Sequence, residues 1–88
     1  MLAVETKKKL IKKFAVSDTD TGSAPVQIAL FTEQIKRLTD HLKTHAKDNS
    51  SRRGLLKIVS KRKRLLTFLE REDKKAYAEV TKKLGIKK

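Results

Sequence analysis

Between Ala24 and about His45, the apolar residues Ile28, Phe31, Ile35, Leu38 and Leu42 recur at alternating steps of three and four. That spacing places them on one stripe of an α-helix, a seam suited to packing against another helix. A longer segment, Ser50 to Arg71, carries Leu55, Ile58, Val59, Leu65, Leu66 and Leu69. At about 100° per residue these six fall within an arc of about 120°. Lys74 to Leu84 puts Tyr77, Val80 and Leu84 on one face, and Glu5 to Phe14 has helical spacing at Leu10, Ile11 and Phe14 among lysines. No segment shows the period-two alternation of a half-buried strand. The pattern predicts an all-α fold of four helices.

The breaks between these segments are equally legible. Ser17 to Ser23 is a loop by composition, Ser23 can cap the helix that follows, and Pro25 fits its first turn, where a missing N–H does no harm. Small and polar residues from Thr44 to Asn49 end the second helix, and Asp48 or Ser50 can cap the third. Glu72-Asp73 reads as a turn and Gly85 as a C-terminal stop. There is no internal repeat and no linker, so residues 1–88 read as a single domain. Within it, residues 1–16 form a helix too short and too self-repelling to stand alone, either mobile or docked.

Composition then narrows the function. With 38% hydrophobic and 5% aromatic residues in 88, the core is thin and mostly Leu, Ile and Val. Lys and Arg number 23 against 10 Asp and Glu, a net charge of +13 that suits a polyanion. Nucleic acid is the first candidate, an anionic membrane the second, and a merely soluble basic domain the bland alternative. The absence of Cys excludes disulfides, thiol catalysis and cysteine-ligated zinc. The start, Met1 to Phe14, lacks the apolar stretch of a signal peptide, and Glu5 with no Arg argues against a transit peptide. No run approaches membrane-spanning length. There is no Gly-rich phosphate loop, no GxSxG and no convincing carboxylate pair, so an enzyme is not expected, nor a cofactor.

The third helix concentrates the chemistry. Eight cations lie between Arg52 and Arg71. Of these, Arg53, Lys57, Lys61, Arg64 and Arg71 share an arc of about 80° roughly opposite the leucine stripe. Phe68 falls inside that cationic arc. A charge run on a generic helix is usually a solvated face; an aromatic among the cations changes the balance, because a ring can stack on a base. The competing reading is that the fourth helix covers Phe68. Arg62 sits inside the leucine arc and reads as structural, its head pairing with an acid on the second helix such as Glu33 or Asp40.

On the second helix, Gln27, Gln34 and His41 lie seven apart and form a polar stripe beside the seam, directed toward the loop that opens the third helix. Amides and imidazoles can donate and accept, which suits minor-groove reading in RNA. Each taken alone is an ordinary polar edge position. His41 and His45 could chelate a metal, but no third ligand is apparent, so no metal site is expected. Asp48 and Ser51 serve equally as helix caps or as readers. Thr21 and Gly22 are most simply turn residues, although Gly lets a backbone approach phosphate closely.

Asp20-Thr21-Gly22-Ser23, Val26-Gln27-Ile28-Ala29-Leu30 and above all Ser51-Arg52-Arg53-Gly54-Leu55-Leu56 resemble the bacterial-type small-subunit ribosomal protein S-fifteen family. His41, His45, Lys47-Asp48, Lys63-Arg64-Leu65-Leu66 and Lys83-Leu84-Gly85-Ile86 agree in order and spacing, so the resemblance covers nearly the whole chain. It implies a long antiparallel hairpin of the second and third helices packed with the short fourth, and direct binding to small-subunit ribosomal RNA early in assembly of the central domain. Two RNA sites are implied. One is a three-way junction, where Thr21, Gly22, Gln27, Arg64 and the position of Phe68 match the family. The other is a G·U/G·C step read in the minor groove, matched by His41, Asp48 and Ser51.

Neighbouring small-subunit proteins are implied partners. So is large-subunit RNA at an intersubunit contact near His41 to His45, and, as in some relatives, the protein's own messenger RNA. The resemblance also implies a monomer when free, no membrane, and a cytoplasmic ribosome, with an organellar one left open. Three departures stand out. Asn49 and Ser50 replace a common pair of histidines, Phe68 replaces a common Tyr, and Ala24 replaces a frequent Thr.

The residues thus support a non-catalytic RNA-binding scaffold. A DNA-binding helical module is the rival ligand class, but helix-turn-helix logic wants a shorter reading helix. A membrane-surface protein is the third reading, and Phe68 among the cations denies the third helix a clean lipid face there.

Overall fold

In the computed structural model, residues 4–14 and 22–86 are described, and they form four α-helices: α1 (Val4–Phe14), α2 (Ala24–Thr44), α3 (Asn49–Glu72) and α4 (Lys74–Leu84). The boundaries lie within a residue or so of those that periodicity predicts. No strand occurs among the described residues.

The helix ends have local causes. Glu5 in the first turn of α1 and Lys12 and Lys13 in its last complement the helix dipole. Ser23 holds the N-cap position of α2 with extended backbone, but its side chain makes no capping bond; its carbonyl accepts from Gln27 N–H at 2.9 Å. Asp48 caps α3, accepting from Ser51 N–H. Asp73 serves two helices at once. Its N–H closes α3 on the Leu69 carbonyl at 2.8 Å, and its side chain caps α4 at Ala76 N–H, 3.1 Å away. Gly85, at φ 65°, ends α4 in the left-handed conformation that favours glycine.

α2 and α3 pair as an antiparallel hairpin, and α1 and α4 cover one end of it. Two buried clusters hold that end. Phe14, Val26 and Ala29 fasten α1 to α2, supported by Leu10, Ile11 and Leu30. Ile28, Leu69 and Val80 join α2, α3 and α4, supported by Leu65, Leu66 and Tyr77. Leu84 packs against both. The first helix is therefore docked, with Lys13 and Lys83 each about 5.7 Å from the centre of the Phe14 ring. Toward the hairpin tip the apolar seam thins to Leu38, and along α3 only Leu69 is fully buried.

Candidate nucleic-acid interface

Where the apolar seam gives out, a polar network takes over. The Asp48 carboxylate, fixed at the head of α3 by its capping role, accepts three hydrogen bonds. Ser51 N–H donates to Oδ1 at 3.0 Å, Ser51 Oγ–H donates to Oδ2 at 2.7 Å, and His41 Nε2 lies 2.9 Å from the same Oδ2. The Ser51 backbone bond, then the Ser51 hydroxyl and then His41 hold the Asp48 carboxyl far below the usual carboxylate range. Three predicted reader residues from two helices thus meet in one place, with Arg37, Leu38 and Asp40 completing a shallow depression. Asp48 stands between the imidazole and the hydroxyl. His41 therefore does not activate Ser51, and the order is wrong for nucleophilic catalysis.

The tip has further ties that sequence reasoning missed. The His41 and His45 rings stack with centroids 4.4 Å apart and an interplanar angle of 7°. His45 Nδ1 lies 2.9 Å from Thr44 Oγ1. Arg52 donates to the Ala46 carbonyl, closing the turn. The i, i+4 spacing of the histidines was a visible signal for the stack, but parallel rings with one Nε2 engaged by Asp48 do not converge on a metal. Among the described residues no group of three or more His, Asp or Glu side chains could hold one.

Cations run along the length of α3. Arg53, Lys57, Lys61, Arg64 and Arg71 are all exposed. Of these five, Arg71 is paired with an acid, Glu72 at 3.3 Å. Phe68 is 47% exposed, so α4 does not cover it. The Arg71 guanidinium lies 5.9 Å from the centre of its ring. Ser60, Lys63 and Thr67 share a shallow hollow with Arg64, Phe68 and Arg71. Sequence reasoning found the cations and the ring but not these flanking groups, although their helical spacing carried the signal.

The remaining expectations are met unevenly. Gln27 Nε2 donates to the Gly22 carbonyl at 2.6 Å, bracing the loop before α2. Thr21 lies outside the described residues. Gln34 is half-buried midway between Gln27 and His41, with no hydrogen bond tying the three into one network. Ala24, where the resembling family often has Thr, packs on the Ile28 cluster. Arg62 is a correction. Its Nη1 donates to Thr32 Oγ1 at 3.2 Å and not to an acid. Glu33 is engaged by Arg37 at 3.2 Å and Asp40 lies 3.5 Å from Lys43, each within its own helix. Burial lowers the Arg62 pKa from its ordinary value.

A recess of about 340 Å³ between α3 and the segment after α4 is lined by Val59, Arg62, Leu66, Tyr77 and Ile86 among others. Thr67 at its edge donates to the Lys63 carbonyl at 3.0 Å. No described helix is long and apolar enough to cross a membrane.

Comparison with known proteins identifies a family. Residues 7–87 match the family described as Ribosomal protein S15. The chain is 52% identical over 86 residues to the small ribosomal subunit protein uS15 of Acaryochloris marina, covering 98% of this chain and 97% of that protein. It is 57% identical over 81 residues to the protein of the same name from Nitratiruptor, covering 92% and 91%. The Anoxybacillus flavithermus counterpart is 49% identical over 87 residues, covering 99% and 98%.

Proposed function

The chain belongs to the ribosomal protein S15 family, and from that premise we propose that it is a non-catalytic constituent of the small subunit of a cytoplasmic ribosome of bacterial type, binding small-subunit ribosomal RNA at two places. One observation carries the two-site reading: α3 bears two unlike surfaces, the Asp48–Ser51 network at its head and the Arg64–Phe68–Arg71 hollow near its end. Ser51 and Phe68 are seventeen residues apart, about 25 Å along the axis at about 1.5 Å per residue. One rigid helix can therefore engage two RNA elements and hold them in a fixed relation.

The hollow and the Gly22–Gln27 brace suit a three-way junction, where converging strands concentrate phosphate charge. Phe68 supplies a stacking surface and Arg64 and Arg71 supply cations there, while Arg53 and Lys57, nearer the head of α3, neutralise phosphate between the two places. Affinity should come largely from phosphate neutralisation and fall steeply with salt. The His41–Asp48–Ser51 depression suits a G·U/G·C step read in a minor groove, which in RNA is wide, shallow and within reach of short side chains. Holding the junction in one arrangement would nucleate assembly of the central domain. The stacked His41–His45 tip is the surface for an intersubunit contact with large-subunit RNA, and a messenger leader imitating the two features would compete for the same surfaces.

A nuclease footprint on small-subunit ribosomal RNA tests the reading: protection at one three-way junction and one nearby G·U/G·C step is expected. His41→Ala and Ser51→Ala should weaken specific binding and leave non-specific affinity nearly constant, while Lys57→Ala weakens both. Equal losses in all three variants, or equal competition by duplex DNA at ~150 mM salt, would refute it.

A further inference from the structure

Between its two ends the hairpin is loosely packed. On α2 no residue between Ala29 and Leu38 is fully buried, and on α3 none before Leu69. Phe31, Ile35, Leu55 and Ile58 are only half-buried there. Into this stretch α3 sends Arg62, a half-buried cation. Its Nη1 donates to Thr32 Oγ1 at 3.2 Å, and Thr32 Oγ1 donates its one proton to the Ile28 carbonyl at 2.8 Å. The direction is fixed, because a hydroxyl whose proton is committed can only accept from the guanidinium. The relay thus runs from the middle of α3 to the backbone of Ile28, which is 0% exposed and belongs to the cluster joining three helices.

Stability does not explain the arrangement. Burial disfavours the Arg62 charge, and its hydrogen-bond partner is a neutral hydroxyl. The acids of α2, Glu33 and Asp40, are engaged by Arg37 and Lys43 of their own helix. Apolar groups of similar volume in such a place are often as stable or more so, and the best-attested use of a lone polar contact in a helix seam is to set register. Leucine ridges tolerate small slides, whereas an N–H···O bond is lost beyond about 3.5 Å. Arg62 lies eleven residues from Ser51 and six from Phe68, about 16 and 9 Å along the axis. The contact therefore divides the span between the two proposed RNA surfaces.

We infer, resting on the two-site reading, that Arg62 and Thr32 are positioning residues: their relay to Ile28 locks α3 against α2 midway and so holds the two RNA surfaces in a fixed relation. Neither side chain needs to touch RNA. Each surface is held locally, the Phe68 end of α3 by the Ile28–Leu69–Val80 cluster and the tip by its hydrogen-bonded turn. Bowing or twisting in the loosely packed stretch would move one surface against the other without disturbing either. An RNA that engages both gains from its second contact only when the span between them matches.

Binding is measured by fluorescence anisotropy, at one salt concentration, for three RNAs: one with the three-way junction, one with the G·U/G·C step and one with both. The parent should bind the third more tightly than either of the others. Arg62→Met removes the cation and keeps an apolar stem. Its melting temperature should match or exceed the parent's, and the lost charge should weaken all three RNAs by a similar small factor. The advantage of the two-element RNA should nevertheless fall roughly tenfold, because the effective concentration of the second contact depends on the span. Thr32→Val keeps the charge but deprives the guanidinium of its acceptor. It should melt lower and lose the same advantage, while Thr32→Ser restores it. Loss of the advantage in both variants, one no less stable than the parent and one less stable, is a result that altered stability alone does not give. An advantage retained by Arg62→Met, or lost only in the less stable Thr32→Val, overturns the inference and leaves two-site binding standing. A parent that binds the two-element RNA no more tightly than the single-element ones overturns both.

Discussion

Replacing Phe14 with Ala should release α1 without unfolding the rest. The ring is 6% exposed and belongs only to the cluster with Val26 and Ala29. A buried Phe→Ala change typically costs about 3–5 kcal/mol. What remains to hold α1 is the half-buried Leu10 and Ile11 and the exposed Arg37–Thr6 hydrogen bond at 3.3 Å. An isolated helix of eleven residues lies below the roughly 12–15 needed for marginal stability in water. Once undocked, α1 should therefore lose its helix. It supplies about one-sixth of the helical residues in the described chain, so the far-ultraviolet circular dichroism signal near 222 nm should drop by about that fraction. The Ile28–Leu69–Val80 cluster does not include Phe14, so amides around Leu69 and Val80 should keep slow hydrogen exchange while those of α1 exchange freely. A loss of half the helical signal, or exchange accelerated equally in all four helices, would show that the two clusters are one cooperative unit and refute the reasoning.

Ile28 gives the complementary case: fully buried where three helices meet, its replacement by Ala should cost about 2–5 kcal/mol and lower a single melting transition by ~10 °C or more. Phe68→Ala should leave the melting temperature nearly unchanged but weaken RNA binding by about 1–3 kcal/mol, the range for one base–aromatic stack, whereas Phe68→Tyr should bind like the parent; filter binding beside a thermal melt separates the two effects. Lys57→Ala should reduce the slope of log affinity against log salt by about one, measured across a potassium chloride series. Asp48 ionises far more readily folded than unfolded, so its contribution to stability is fully present above the ordinary carboxylate range near pH 4 and fades as pH falls below it. Asp48→Asn should remove that part of the acid dependence, and an unchanged acid-unfolding curve would count against the network.

The helices were legible because each has an apolar stripe with the right period and a recognisable stop. Pro25, Asp48 and Gly85 behave in the fold as their chemistry predicts. The union of His41, Asp48 and Ser51 was only half legible. The stripe on α2 pointed the right way, but the His41–Asp48 contact, seven residues apart, depends on how the intervening turn closes, through the His45 N–H to the His41 carbonyl, the Asp48 N–H to the His45 carbonyl, and Arg52 reaching the Ala46 carbonyl. Arg62 shows the limit of pattern alone. Its inward position was visible, yet its partner was not, because Glu33 and Asp40 each had a cation within one turn of their own helix. Leu56, 64% exposed, falls outside the leucine arc, so periodicity kept it off the core although its residue type would have placed it there.

Asp73 closes α3 and starts α4 with nothing between them. A corner one residue long has no slack. Inserting a single residue there would turn α4 by about 100° about its axis and carry Val80 out of the socket that it shares with Ile28 and Leu69. Deleting Asp73 would strip both helices of a terminus at once. Chains of this architecture should therefore vary freely in residue type over the outer face of α4 and hardly at all in length at this corner. A set of one-residue insertions, screened for soluble helical protein, should map that constraint as a sharp gap between Leu69 and Ala76.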